Sequence, residues 1–465
     1  MTGLTLRFED GTVRVDGEGD CPSFVERDPR SGTRRASAHR YADLRDWLDE
    51  RGVAYDDRVL DGESLSGLDS TYELREYQAD ALDAWRDGGS AGEGATGTAR
   101  TGPHSGVLEL PTGSGKTVIA IAAMEDLATS TLVVVPTIDL LQQWRAELER
   151  EFDRPVGQLG GGEQRVEALT VSTYDSAYLR SDDLGDRFGL VVFDEVHHLG
   201  GEGYREIARL LAAPARLGLT ATFERPDDAH EVVEDLVGPV VYRISADELA
   251  GEHLAPYDVK RITVDLTDDE REAYERNQET FTDYLARSNV ELRSGSDYQE
   301  LVKRSGNDPE AREALLAKQR AREIMMGSEN KVARLADILD DHRDDRVIVF
   351  TAHNDLAYRI SERFLIPAVT HRTSAAERRE VIEGFREGTY SRIVTSNVLD
   401  EGVDVPDANV AVVLSGSGSE REFTQRLGRV LRPKEDDGSG LGERALLYEV
   451  VSADTAETRV ASRRR

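Results

Sequence analysis

Short, almost purely apolar runs recur from Tyr72 onward, each parted from the next by a helix-compatible stretch. One block holds residues 107–110, 131–135, 169–173, 190–193 and 216–219; a second holds 347–350, 368–369, 392–395, 410–414 and 445–450. Strands of this kind have no polar face to leave in water, so each block calls for a parallel sheet covered by helices on both sides. The expected class is α/β, with parallel-sheet lobes over 70–245 and 331–465.

The flanking segments follow other rules. Leu4-Thr-Leu-Arg-Phe8 and Thr12-Val-Arg-Val15 alternate around Asp10-Gly11, a hairpin signal. Tyr41, Leu44, Trp47 and Leu48 then fall at helical spacing before Gly52. A small α+β domain is expected over 1–62, with Gly62 to Ser70 as a linker. Residues 265–330 are charged and helix-compatible, and Tyr274, Phe281, Tyr284 and Leu285 share one face, so a helical insertion is expected between the lobes. Asp87 to Ser105 is almost wholly Gly, Ala, Ser and Thr, which reads as a surface insertion.

Composition narrows the setting. A length of 465 residues suggests about three domains. No run approaches the roughly 18 apolar residues of a membrane span, and the start lacks a signal-peptide apolar region, so a cytoplasmic protein with no membrane partner is expected. The one cysteine, Cys21, excludes an internal disulfide and any four-cysteine metal site. The net charge of −32 is spread along the whole chain, and of the 58 basic residues only Lys116, Lys260, Lys303, Lys318, Lys331 and Lys434 are lysine. This balance resembles that of proteins from salt-accumulating cells, where high ionic strength screens self-repulsion. In such salt, phosphate contact must rest on backbone N–H groups and hydroxyls as well as on cations.

Three stretches carry chemistry. Pro111, Thr112, Gly113, Ser114 and Gly115, followed by Lys116 and Thr117, lie between a predicted strand and a predicted helix. Glycines there let backbone N–H groups approach phosphates, the lysine reaches the terminal ones, and the Thr117 hydroxyl meets Mg2+. A strict phosphate loop has glycine where this chain has Leu110. Asp194 and Glu195 end an apolar run, so Asp194 is expected to hold Mg2+ and Glu195 to position the attacking water. His197 and His198 follow without further ligands at zinc spacing; His197 is read as a coupling residue. Arg426, Arg429 and Arg432 recur at three-residue steps on one helix face, and Arg429 and Arg432 are read as arginine fingers, with Gln425 heading the same catalytic stretch. ATP and Mg2+ are the expected cofactors.

These motifs resemble those of superfamily-2 helicases, as do Arg75-Glu-Tyr-Gln78, Val135-Pro-Thr137, Thr220-Ala-Thr222, Ile348-Val-Phe-Thr351 and the stretch from Thr395 through Asp404 to Pro406. The chain is most similar to the XPB family, particularly its archaeal members, through Asp28-Pro-Arg-Ser-Gly-Thr33 and the 217–225 and 414–432 stretches. The resemblance implies a damage-recognition domain, two RecA-like lobes and a thumb over about 267–330. It implies ATP-dependent 3′-to-5′ action on DNA, as a single strand or fork, in nucleotide excision repair, and a nuclease partner among archaeal members. It gives Gln78, with Arg75 close by, to the adenine, and Asp404 to the nucleotide site. Thr220 and Thr222 become coupling residues, and Thr137, Thr351, Thr395 and Arg225 DNA contacts.

One departure stands out. Where the family carries Arg-Glu-Asp, this chain has Arg225, Pro226 and Asp227. Proline removes a carboxylate and a backbone donor, so translocation with little unwinding is one alternative. An RNA-directed or restriction-type motor is another, and a nucleotide-gated DNA-binding module that remodels complexes is a third.

Overall fold

The computed structural model describes residues 4–88, 102–201, 203–221, 223, 230–249, 257–288, 295–396, 408–414 and 445–458. The chain divides into two units, Met1–Ser245 and Ala246–Arg465.

In the first unit, Leu4–Glu9 and Thr12–Asp16 pair antiparallel. Asp10 and Gly11 turn the chain with φ of 50° and 69°, the backbone sense that matches the twist of the flanking strands. Leu4, Leu6, Val13 and Val15 point to one side, where Tyr41, Leu44 and Leu48 of the helix Tyr41–Glu50 cover them. Ala212 belongs to the same cluster, so this domain docks on the larger sheet's helical layer. The segment expected to be a linker is packed instead. Leu65 and Leu68 are buried, Leu65 N–H donates to Ala128 O, and Ser64 bridges to Thr129. Two leucines in a polar stretch were enough to dock it.

The larger sheet runs, in spatial order, Val240–Arg243, Ser105–Glu109, Ala215–Thr220, Leu190–Asp194, Thr131–Val135, Leu169–Thr173, Val156–Gly160 and Glu163–Arg165. All neighbours are parallel except the last pair. Its central strands are buried at every residue, their apolar positions lining both faces and Thr170, Ser172, Arg216 and Thr220 buried among them.

The second unit has a six-stranded parallel sheet in the order Tyr257–Val264, Ala445–Ser452, Val410–Val413, Val347–Phe350, Arg392–Thr395 and Ala368–Val369. The edge strand Tyr257–Val264 is polar at half its positions, which hid it from a search for apolar runs. After it, helices Asp268–Ser288 and Pro309–Met326 form an antiparallel pair, with Gly295–Arg304 packed on them. Tyr274 meets Ala321 and Met325, while Phe281 and Tyr284 meet Ala311 and Ala314, so the expected aromatic face lies against a row of alanines.

Candidate functional site

Strands Ser105–Glu109, Ala215–Thr220 and Leu190–Asp194 are neighbours, with Glu109 opposite Thr220 and Leu219 opposite Asp194. The chain leaves Ser105–Glu109 for Thr131–Val135, with two strands between them in the sheet. Ligands of open parallel sheets sit beyond the carboxyl ends at such a switch in strand order. Three of the sequence motifs therefore meet on one edge.

The phosphate loop starts at Leu110, whose N–H donates to Thr220 O at 3.0 Å. Gly113 and Gly115 take φ of 84° and 81°, a region that penalises any side chain. Lys116 and Thr117 open the helix Lys116–Leu127, and Lys116 Nζ donates to Leu110 O at 3.0 Å and Pro111 O at 3.3 Å. Thr112 Oγ1 and Ser114 Oγ are buried without a hydrogen-bond partner among the described residues. A positive helix start, a cation and two unmatched hydroxyl donors fit a polyphosphate.

Tyr77 and Gln78 brace this loop. Tyr77 Oη and Gln78 Nε2 both donate to Ser114 O, at 2.6 and 2.8 Å, and Gln78 Oε1 accepts from Arg75 N–H at 2.9 Å. A Cβ at Gly115 would sit 2.4 Å from Gln78 Nε2 and would displace that amide, while the φ of 81° favours glycine there. Arg75 is the N-cap of the helix Glu76–Asp87.

Asp194 and Glu195 are buried at the end of their strand. Asp194 Oδ1 accepts Glu195 N–H at 3.0 Å, and Oδ2 accepts Trp144 Nε1–H at 2.8 Å. Tyr174 Oη donates to Asp194 O at 3.1 Å; burial first, then the charges of Asp194 and Glu195, push its hydroxyl well above the usual tyrosine range and keep it a donor. Glu195 has φ 50° and ψ 53°, a left-handed conformation immediately after a strand. His197 Nδ1 lies 3.2 Å from Thr220 Oγ1 and 3.5 Å from Glu195 Oε2, linking the two strand ends. His198 stacks beside His197 and Tyr174. Among the described residues no group of three or more His, Cys, Asp or Glu is arranged for a metal. Mg2+ takes one or two carboxylates and fills its octahedron with phosphate and water, and Thr117 with Asp194 fits that donor set.

Glu109, Trp144, Tyr174 and Tyr77 were not singled out by the sequence reading. Glu109 accepts from Phe223 N–H at 3.2 Å and Arg243 Nε at 2.6 Å, pinning the chain just after Thr220-Ala-Thr222. Trp144 shares a helix face with Leu141 and Leu148 and reads as core.

The proposed nucleic-acid contacts divide. Thr137 caps the helix Ile138–Phe152, accepting Leu140 N–H at 3.2 Å, and is partly exposed. Thr351 and Thr395 are fully buried. Thr351 Oγ1 donates to Thr395 O at 3.1 Å, tying two strand ends together, and Thr395 Oγ1 donates to the adjacent Ser396 O at 2.5 Å, so both hydroxyls are engaged within the protein. Thr222, Arg225, Asp404, Gln425, Arg429 and Arg432, with Pro226, lie outside the described residues.

Three family models match the chain. The damage recognition domain of xeroderma pigmentosum group B helicase covers residues 6–59, the res subunit of type III restriction enzymes covers 71–225, and the ERCC3/RAD25/XPB C-terminal helicase covers 313–465. The DNA 3′-5′ translocase XPB2 of Sulfurisphaera tokodaii is 43% identical over 92% of this chain and 93% of that protein. The DNA 3′-5′ helicase XPB of Mycobacterium tuberculosis is 30% identical over 87% of this chain and 66% of its own length. In fold, the Hef helicase domain of Pyrococcus furiosus aligns with TM-score 0.51 at 21% identity, over 84% of this chain and 98% of that one. Dbp5 of S. cerevisiae, solved with RNA and ADP BeF3, aligns with TM-score 0.53 at 14% identity over 84% and 87%. With its opening domain, its carboxyl-terminal segment and near full-length identity all pointing the same way, the chain belongs to the XPB family of helicases.

Proposed function

We propose that this protein is an ATP-driven motor that moves 3′ to 5′ on DNA. The observation that carries the reading is the gathering of Lys116, Asp194, Glu195 and Thr220 on three adjacent strand ends, with His197 between Glu195 and Thr220. Lys116 and the loop N–H groups would hold the phosphates, Thr117 and Asp194 the Mg2+, and Glu195 the attacking water. Mg2+ when bound would neutralise charge developing on the phosphates. The His197–Thr220 contact gives hydrolysis a route to the strand that leads into Thr222 and Arg225. By the family resemblance, Arg429 and Arg432 are proposed as arginine fingers, Gln425 heads the same catalytic stretch, and Asp404 is given to the nucleotide. Action in excision repair with a nuclease partner extends the proposal on the strength of the family resemblance.

The test is ATP turnover in molar potassium chloride with single-stranded DNA, duplex DNA or RNA. DNA should stimulate hydrolysis, and stimulation by RNA alone would sink the DNA assignment. A second reading, translocation with little strand separation, is favoured by Pro226 and by the translocase name of the 43% identical relative. Duplex unwinding compared between the protein and Pro226→Glu distinguishes them: weak unwinding rescued by glutamate supports the translocase reading.

A further inference from the structure

The helix Ile138–Phe152 touches the candidate site in a way that neither its motif nor its packing requires. Its buried face is Leu141, Trp144, Leu148, Glu151 and Phe152. A phenylalanine would fill the Trp144 position as well, but it would have no N–H. Trp144 donates that N–H to Asp194 Oδ2 at 2.8 Å. The other carboxylate oxygen is held from within its own segment, by Glu195 N–H. One oxygen of the Asp194 carboxylate is thus held by a separate element, through the Trp144 indole N–H.

Both ends of the helix reach other parts of the machine. Thr137, the candidate backbone contact, caps its start, and Trp144 follows about two turns, or roughly 10 Å, along the axis. Near its end, Glu151 Oε2 accepts from Thr71 N–H at 3.0 Å, Thr71 Oγ1 at 2.8 Å and Ser70 Oγ at 3.3 Å. That segment leads directly into Arg75 and Gln78. We propose that Trp144 is a positioning residue for Asp194, and that its helix relays engagement of the nucleic-acid track at Thr137 to the Mg2+ carboxylate. The relay rests on the motor reading above; the positioning of Asp194 does not.

The experiment is the magnesium dependence of ATP turnover, with and without single-stranded DNA, in the full chain. Trp144→Phe should raise the magnesium concentration for half-maximal rate about tenfold, the scale of one hydrogen bond to a charged group. DNA should lower that midpoint in the unaltered protein and fail to do so in Trp144→Phe. Leu148→Ala, a cavity on the same buried face, should lower the melting temperature yet leave the midpoint within about twofold. A Trp144→Phe midpoint within twofold of the unaltered protein, or an equal shift in Leu148→Ala, overturns the proposal. If the unaltered protein ignores every polynucleotide, the motor reading fails while the DNA-free midpoint still judges Trp144. Should Trp144→Phe not fold, indole emission of the unaltered protein during magnesium titration with ADP replaces it, since Trp47 lies under Arg51 and Trp85 donates to Arg216 O. An emission that does not move would then overturn the assignment.

Discussion

The two ends of the first parallel sheet obey different rules. At the amino end, Arg216 is fully buried, and its guanidinium donates to Ala213 O, Ala208 O, Leu236 O and Leu211 O at 2.6–3.2 Å. Its own carbonyl accepts Trp85 Nε1–H, so a buried cation closes the ends of two helices onto the strand. At the carboxyl end, Glu195 holds a left-handed conformation and the Thr112 and Ser114 hydroxyls are buried without a partner among the described residues. Arg216 is matched on every side by carbonyls, whereas the Thr112 and Ser114 hydroxyls lie where a phosphate would supply a partner. The difference teaches that one sheet uses a buried polar group to hold its fold at Arg216 and leaves others unmatched at the phosphate loop.

Breaking the comparison starts with its largest effect. Lys116→Ala should lower ATP turnover by on the order of 10³ or more while the melting temperature moves by only about 2 °C. A collapse of the melt would make Lys116 structural and erase the distinction. Arg216→Met should do the reverse. Leaving its carbonyls unmatched should cost about 3–5 kcal/mol by denaturant unfolding, with the rate per folded molecule within about twofold. A rate loss that outpaces the stability loss would carry chemistry to the amino end.

In the second unit a matched buried cation, Lys331, lies instead at the carboxyl ends of its strands. It is fully buried, and its Nζ donates to Leu414 O at 2.7 Å and pairs with Glu457 at 2.5 Å, at the carboxyl ends of Val410–Val413 and Ala445–Ser452. Burial lowers the Lys331 ammonium from its ordinary range and raises the Glu457 carboxyl, so the pair is under desolvation stress. Lys331→Met alone should cost about 2–4 kcal/mol, and adding Glu457→Gln should recover much of it, since breaking a buried pair costs more than replacing it. A double variant no better than the single would make the Leu414 carbonyl the dominant contact.

The smallest effect belongs to Glu151. Burial pushes its carboxyl up, but the Thr71 amide and hydroxyl, with Arg150 and Ser70, outweigh it and hold it below 4.5. A carboxyl depressed in the folded state binds fewer protons than in the unfolded chain, so its stabilisation is present above 4.5 and fades as pH falls through the folded value. Glu151→Gln should therefore cost about 1 kcal/mol at neutral pH, with the gap closing below that range. A gap that stays constant with pH would assign the effect to packing.

Much of this was legible in residue order. Predominantly apolar strands alternating with helical stretches announced buried parallel sheets, and Asp10-Gly11 announced its hairpin. The strand Tyr257–Val264 was not legible, because this edge strand is largely exposed and carries polar residues at half its positions. Nor was the docking of 62–70, where two leucines outweigh the turn-rich composition. In the site, the glycines, Lys116 and the Asp194-Glu195 pair stood out because few residue types can approach a phosphate or hold Mg2+. Trp144, Tyr174 and Glu109 did not, since a buried aromatic in a helix face and an acid at a strand end are common for ordinary reasons.

The sequence alone determined which chemistry this chain carries, because phosphate loops and paired carboxylates depend on local residue identity and spacing. Only the tertiary structure decided who holds whom. Strand order set Thr220 between Glu109 and Asp194, and helix packing brought the Trp144 indole, fifty residues away in sequence, to the carboxylate. Such contacts arise from how elements cross in space, and no spacing along a single chain encodes them.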